Sequence, residues 1–263
     1  MNEDMIKIFR DLTIFNKYRF YEGPHIYTCN GVKVGLSVTK LIEEYSDEFD
    51  KDKWADICAK REKISKQEII ERWDRDNAIS KCKGTHIHAY VENILSNKVY
   101  SYPQREVESQ FGEDVLKDMW PKLTAMADEF TKDISNRLIP IKEELLIGDE
   151  DFDICGTVDN LFWNNKTKKI EIFDTKSNKE IKFKSFGDKG MKPPLEHILD
   201  CNFYHYSLQL NIYKYILQKN TSLEIGDCRI VWYNINSDKY EIITCKDLYE
   251  EAKQMLELRK VNA

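Results

Sequence analysis

The seven cysteines, at 29, 58, 82, 155, 201, 228 and 245, include no C-x-x-C pair. That spacing excludes a zinc knuckle and an iron–sulfur cradle, and the odd count argues against a full disulfide framework. Reduced, mostly buried thiols are the expectation. No apolar run approaches the roughly 18 residues of a membrane span. The opening MNEDMIKIFRD also lacks the basic-then-apolar pattern of a secretion signal, so the expected place is inside a cell, cytoplasmic or nuclear, with no membrane partner. No GxxxxGK[ST] string is present, which excludes a P-loop motor. Internal repeats and low-complexity blocks are absent, and only residues 187–194 have the composition of a long loop. The net charge of −6 excludes a global polycation, so any contact with nucleic acid must come from a local patch.

The stretch ICGTVDNLFWNNKTKKIEIFDTK, from Ile154 to Lys176, is two hydrophobic runs joined by a polar turn. Alternation puts Thr157, Asp159, Leu161 and Trp163 on one face of a first strand, and Ile170, Ile172, Asp174 and Lys176 on one face of a second. A turn centred near Lys166 sets Trp163 opposite Ile170 and Asp159 opposite Asp174. Directly opposed like charges destabilise a sheet, and a divalent cation held by both carboxylates, with an ammonium two residues along, would compensate.

Ahead of this hairpin, RFYEGPHIYTCNGVKVGLSVTKLI reads as an N-terminal β-like piece turning at Cys-Asn-Gly. It feeds Ser37, whose hydroxyl can cap a helix from Lys40 to Tyr45. Helices are expected at 51–63 and 66–95, with Trp54, Ile57, Ile69, Ile70, Trp73, Ile79, Ile87, Val91 and Ile94 as core positions. In KGTHIHAYVENIL, Gly84, His88 and Glu92 share a helix face while His86 points away. A glycine inside a helix costs about 1 kcal/mol relative to alanine, so close approach to its backbone is expected. Helices continue at 104–117 and 123–138, and Pro140 opens an extended segment that carries Glu143 and Glu144 on opposite faces. After the hairpin, residues 176–192 hold six lysines against two acids, a local sum of +4, with Phe183 and Phe186 among them. A helix from about Asp200 to Lys219 places Tyr206, Gln209 and Tyr213 on adjoining turns. Strands at 228–234 and 239–244 and a helix at 246–260 close the chain. The order suits an α/β sandwich with a mixed central sheet.

Hard divalent cations take oxygen ligands, and Asp159, Asp174 and one of Glu143 and Glu144 can supply an incomplete shell. An open metal site beside Lys176 fits phosphodiester hydrolysis, in which the ion acts as Lewis acid and the lysine stabilises charge developing on phosphorus.

The ordered set Gly84-Thr85-x-x-His88, Glu144, Gly156-Thr157-Val158-Asp159, Asp174-Thr175-Lys176 and Gln209-x-x-x-Tyr213 resembles the PD-(D/E)XK nuclease superfamily in its RecB-type branch. That branch includes viral and phage exonucleases and mitochondrial genome maintenance exonucleases. The resemblance runs from the Ser-Val-Thr at Ser37 to about Tyr213. It implies a restriction-endonuclease-like α/β core, with a mixed central sheet flanked by helices and an N-terminal helical elaboration. Residues 1–263 form a single domain in this reading, with 1–138 the hairpin and helical part and 139–263 the sheet core.

The resemblance further implies that Asp159 and Asp174 bind metal, Mg2+ or alternatively Mn2+, and that Lys176 is catalytic. His88 would be the helix-borne histidine that reaches the metal, and Glu144 the upstream strand acid, with Glu143 its rival. Gln209 and Tyr213 would border the site and contact DNA or support the catalytic groups, with Ser37 also in substrate binding. Lys179, Lys182 and Lys184 would follow the phosphate backbone, together with Lys189 and Lys192, and Phe183 or Phe186 could stack a base. No cysteine set suits the iron–sulfur cluster of some relatives. The implied function is that of a metal-dependent DNA exonuclease acting on ends or single strands in replication, recombination or repair. Replication or recombination proteins are its expected partners, in a bacterial or virus-infected cytoplasm, a nucleus or an organelle. A structure-specific endonuclease on the same fold is one alternative, and a nucleic-acid-binding protein without chemistry is another.

Overall fold

The computed structural model describes residues 3–262. Helix α1 (Glu3–Leu12) comes first, where the sequence reading began with β-like structure. The i, i+3, i+7 spacing of Met5, Ile8 and Leu12 supplies the inward stripe, and Ile8 and Leu12 are buried. Strands β1 (Tyr18–Tyr21), β2 (Ile26–Cys29) and β3 (Val32–Lys33) then form a small antiparallel sheet. Asn30 and Gly31 both have positive φ, which is the backbone twist that an Asn-Gly hairpin supplies between Cys29 and Val32.

Strand β4 (Leu36–Ser37) leads into α2 (Val38–Glu44), where the Ser37 hydroxyl accepts from the Lys40 N–H at 3.2 Å. Helices α3 (Lys51–Glu62) and α4 (Lys66–Leu95) follow, the second opened by a reciprocal Ser65–Glu68 capping box. Next, α5 (Gln104–Phe111) stops short of the expected 117 because Gly112 takes φ 78° and turns the chain. Helix α6 (Trp120–Ile134) likewise ends before the expected 138, since Leu138 already pairs with Asn164 in the sheet.

Strands β5 (Leu138–Asp149), β6 (Ile154–Asn164) and β7 (Lys169–Lys176) form an antiparallel meander. After a long loop, α7 (Asn202–Asn220) crosses back so that β8 (Ile225–Asn234) lies parallel to β7. Parallel neighbours need such a crossover, usually a helix. Strand β9 (Lys239–Thr244) pairs antiparallel with β8, and α8 (Tyr249–Asn262) ends the described chain. The result is an α/β fold with a mixed six-stranded sheet flanked by helices. No helix among the described residues is long and apolar enough to cross a membrane.

Both faces of the sheet are covered. Leu161, Ile170 and Ile172 pack on α7 through Leu208, Ile212 and Ile216, while Phe162, Phe173, Val231 and Tyr233 pack on Ile87 and Val91 of α4 and Phe130 of α6. Period-two alternation sends neighbouring residues of β6 and β7 to opposite helical layers, which explains why both strands read as nearly continuous apolar runs.

The first half of α4 does not join this packing. From 66 to 82 only Ile69 is buried, Trp54 and Trp73 are half-buried and Ile57 is exposed, so α3 and early α4 form an arm and several expected core positions are not core. All seven cysteines are free, but only Cys155, Cys201 and Cys228 are buried, fewer than expected.

Candidate metal centre

The β6–β7 register is as the alternation required, with Trp163 opposite Ile170, yet the ladder ends at Asn160–Phe173, one pair before the two aspartates. The strands part there. Beyond the split, β4 takes over the same edge of β6 at Ile154 and Cys155, leaving Gly156–Asp159 between the two pairings. The divergence itself relieves part of the like-charge repulsion. Asp159 turns its Oδ2 back to accept the Thr175 N–H at 2.7 Å, so the freed backbone donor is satisfied. Asp174, 1% exposed, holds an ion pair with Lys176.

Two neighbours then bring donors to Asp159. Strand β5 carries Glu144 with φ 45°, a left-handed conformation that costs a non-glycine residue about 1–3 kcal/mol. Its Oε1 lies 3.7 Å from His88 Nδ1. Glu143, by contrast, sits in the regular ladder opposite Asn160, so Glu144 is the acid that the strand delivers. From α4, His88 Nε2 donates to the Thr175 carbonyl at 2.8 Å, and Nδ1 faces Asp159 Oδ2 at 3.4 Å. A carbonyl can only accept, so the proton on Nε2 is fixed and Nδ1 is left to bind a proton or a cation.

One donor atom each from His88, Glu144 and Asp159 lie within 4.8 Å of one another. Three of the expected ligands, His88, Glu144 and Asp159, are thus brought together, and the fourth, Asp174, is ion-paired with Lys176. Two carboxylates and an imidazole held by a backbone carbonyl fit a divalent cation and keep a side open for substrate. That side is a cavity of about 520 Å³, lined by Glu22, Gly84, Thr85, His88, Glu92 and Glu144. Gly84 meets no protein atom within 4 Å of where a Cβ would stand, so its role here is to leave the cavity wall open, not to admit a neighbouring element.

Burial works against charge on His88, but Asp159 and Glu144 outweigh it and push its pKa up to about 9. Cation binding must therefore displace a proton at neutral pH, and affinity should rise with pH. The sign for stability follows: a folded pKa of about 9 lies above the ordinary 6.5, so the stabilisation is full below 6.5 and lost as pH rises through 9. Thermal melts of the metal-free protein should fall across that window by an upper limit of about 3 kcal/mol. In His88→Gln the slope should flatten, and an unchanged slope would remove His88 as its source.

Burial also pushes the Asp174 carboxyl above the usual carboxylate range, opposed by Lys176. Lys176 is raised despite burial, because Asp174 and Asp159 favour its charged form, so the ammonium is retained at neutral pH. Its Nζ lies 4.8 Å from the centre of the Tyr206 ring on α7. No role was assigned to Tyr206 from the sequence; its place on the stripe with Gln209 and Tyr213 is the signal that was available.

Gln209 Nε2 donates to the Tyr213 hydroxyl at 3.1 Å, and Tyr213 is 2% exposed, so this pair braces the site from within and does not offer Tyr213 to a substrate. A Cβ on Gly156 would stand 2.7 Å from the Tyr213 ring, which explains the glycine. Gly156→Ala should destabilise by about 1–3 kcal/mol, lowering Tm by several degrees. Combined with Tyr213→Ala the effects should be less than additive in denaturant melts; strict additivity would separate the two residues.

Ser37 is occupied as the α2 cap and lines a separate recess of about 350 Å³ with Tyr27, Gly156 and Tyr213. In the basic loop Lys179, Lys182 and Lys184 are exposed, whereas Lys189 is paired with Asp47 and Lys192 donates to the Glu44 carbonyl at 3.4 Å. The last two therefore anchor the loop and do not stand free as expected. Phe183 packs on Phe203 with ring centres 4.7 Å apart, and Phe186 is exposed.

No family model matches the chain, and no curated protein matches it. Among solved structures the chain resembles SSO0001, at 14% identity over 68% of this chain and 85% of that one, with a TM-score of 0.25. At that score the likeness carries no argument.

Proposed function

We propose that the chain is a metal-dependent DNA nuclease on a PD-(D/E)XK core of the RecB type, hydrolysing phosphodiester bonds at DNA ends or in single strands. The observation that carries this reading is the set of donors from His88, Glu144 and Asp159 directly beside the Asp174–Lys176 ion pair, all at the point where β6 and β7 part. When bound, Mg2+ or Mn2+ supplies Lewis-acid stabilisation of phosphoryl charge, and the imidazole donor favours Mn2+ over Mg2+. Asp174 keeps Lys176 protonated and aimed along the sheet edge. The ammonium stabilises the negative charge that develops on the phosphate oxygens, while the Tyr206 ring beside it limits its motion. Burial around the pair strengthens that stabilisation relative to open water.

Exposed Lys179, Lys182 and Lys184 follow the sheet strand that ends in Lys176, which supports a backbone-tracking role for this loop. Three such contacts on a single strand predict that log affinity falls with log salt at a slope of about −2. A flat response would remove the loop from the account.

Exonuclease action is the reading favoured over endonuclease action. The test is digestion of end-labelled linear DNA and covalently closed circular DNA with Mg2+, Mn2+ or chelator. Loss of linear DNA alone, and only with metal, is the expected result. Nicking of the circle would make it an endonuclease, and binding without cleavage in either metal would make it a non-catalytic DNA-binding protein. Cooperation with replication or recombination proteins is part of the same proposal, since the sequence carries no motor motif of its own.

A further inference from the structure

The helical arm of α3 and early α4 has an unusual surface for a segment so far from the core. Phe49, at its root, is 65% exposed and lies 5.9 Å from the Trp73 ring; Phe186, from the basic loop, is 89% exposed and lies edge-on to Trp54 at 6.0 Å. The Lys51–Asp74 ion pair joins α3 to α4 beside Trp73 in sequence.

The loop is fastened to the arm's root. The Lys192 N–H donates to the Tyr45 carbonyl at 2.7 Å, Lys189 pairs with Asp47, and His205 Nε2 lies 3.1 Å from Ser46 Oγ and 2.7 Å from Asp200 Oδ1. Serine and aspartate share one ring nitrogen there, so the cluster cannot relay a proton as a catalytic triad does, and it serves as a clasp. Phe186 is thereby presented on the same surface as the arm.

Charge identifies what this surface takes. Four of the arm's acids are ion-paired internally, Asp52 and Asp56 by Lys66, Asp74 by Lys51 and Glu62 by Arg72, while Glu68 caps α4 through Ser65, Glu71 accepts from Gln67 and Asp76 enters no ion pair among the described residues. Lys53, Lys60, Lys63, Lys182 and Lys184 enter no ion pair among the described residues. Exposed rings flanked by uncommitted ammonium groups suit stacked bases and their phosphates, a combination that duplex DNA, with its bases already stacked, cannot use.

Resting on the nuclease reading, we propose that the arm and the Phe186 loop form a stacking platform for single-stranded DNA, engaging Phe49, Trp54, Trp73 and Phe186. Trp73 and His88 lie on one helix, 15 residues and so about 22 Å apart along its axis. At about 3.4 Å per phosphate, the rise of a stacked strand, that distance is about six nucleotides, and an extended strand reaches from site to platform with fewer.

The test is fluorescence anisotropy of labelled oligo(dT) of 4, 8 and 16 nucleotides and of a 16-base-pair duplex. It is done in chelator with the full chain and with Phe49→Ala/Phe186→Ala, both rings being largely exposed so that folding is spared. The wild type should bind the 16-mer at least ten-fold more tightly than the 4-mer or the duplex, with quenching of tryptophan fluorescence. The double variant should lose most of that length dependence. Wild-type-like binding by the variant, or equal affinity for the duplex, overturns the platform. So does sedimentation in which the variant splits a dimer with DNA affinity unchanged, which would assign the rings to a second copy. Metal-dependent cleavage measured alongside separates the two claims: length-dependent binding without cleavage sinks only the nuclease reading, and cleavage with a variant that binds normally sinks only this one.

Discussion

If the chain is the proposed nuclease, Lys176→Met should lower the rate of metal-dependent DNA hydrolysis by about 10³-fold, a loss of about 4 kcal/mol of transition-state stabilisation. The loss should fall on kcat with little change in KM, because the ammonium meets charge that is fully developed only in the transition state. It should also be accompanied by instability. Asp174 is 1% exposed and would be left without its counter-charge, and breaking a buried ion pair from one side costs about 3–5 kcal/mol. Neutralising both members, in Asp174→Asn/Lys176→Met, should recover most of the melting temperature and none of the activity. Urea melts beside single-turnover assays separate the two effects. A double variant that regains hydrolysis would show that the lysine serves folding alone.

The second large effect is at Asp159, which has two tasks that substitution can divide. Its Oδ2 accepts the Thr175 N–H where the ladder ends, and the same atom lies 3.4 Å from His88 Nδ1 in the donor cluster. Asparagine keeps an oxygen for the backbone donor and removes the charge. Asp159→Asn should therefore keep the Thr175 contact and fold, with part of the His88-linked stability lost below pH 9, lose the stabilisation that Mn2+ gives the wild type, and hydrolyse DNA at least 10³-fold more slowly. Asp159→Ala should lose the same activity and an additional 1–3 kcal/mol or so of stability, since the Thr175 N–H is then unpaired. Equal stabilisation by Mn2+ in wild type and Asp159→Asn would place the metal elsewhere.

Much of this architecture could be read from residue order. Strands β6 and β7, the Asn30-Gly31 turn and the bounds of α4 follow from alternation, turn chemistry and a capping box, all of which act within a few residues. The splitting of the hairpin was not readable, because it depends on β4 pairing with β6 from more than 100 residues away. Nor was the choice of Glu144 over Glu143 as the acid of the donor cluster. Alternation assigns Glu144 a face, but the positive φ that aims it at His88 is a tertiary constraint with no local signal. The arm's exposure leaves no local signal for a related reason. Trp54, Ile57 and Trp73 have helical spacing and apolar side chains, which is how a buried stripe also reads, and only the packing of α6 against late α4 decides which half of the long helix is covered.

In the proposed mechanism the His88–Glu144–Asp159 cluster and Lys176 act together in one reaction. The most direct measurement is release of labelled nucleotides from linear DNA as Mn2+ is titrated into wild type and Lys176→Met, with metal binding followed calorimetrically in the same samples. Wild type should cleave in proportion to metal bound, and Lys176→Met should bind the metal yet cleave about 10³-fold more slowly. Cleavage that persists in chelator, or that proceeds equally in both proteins, would contradict it.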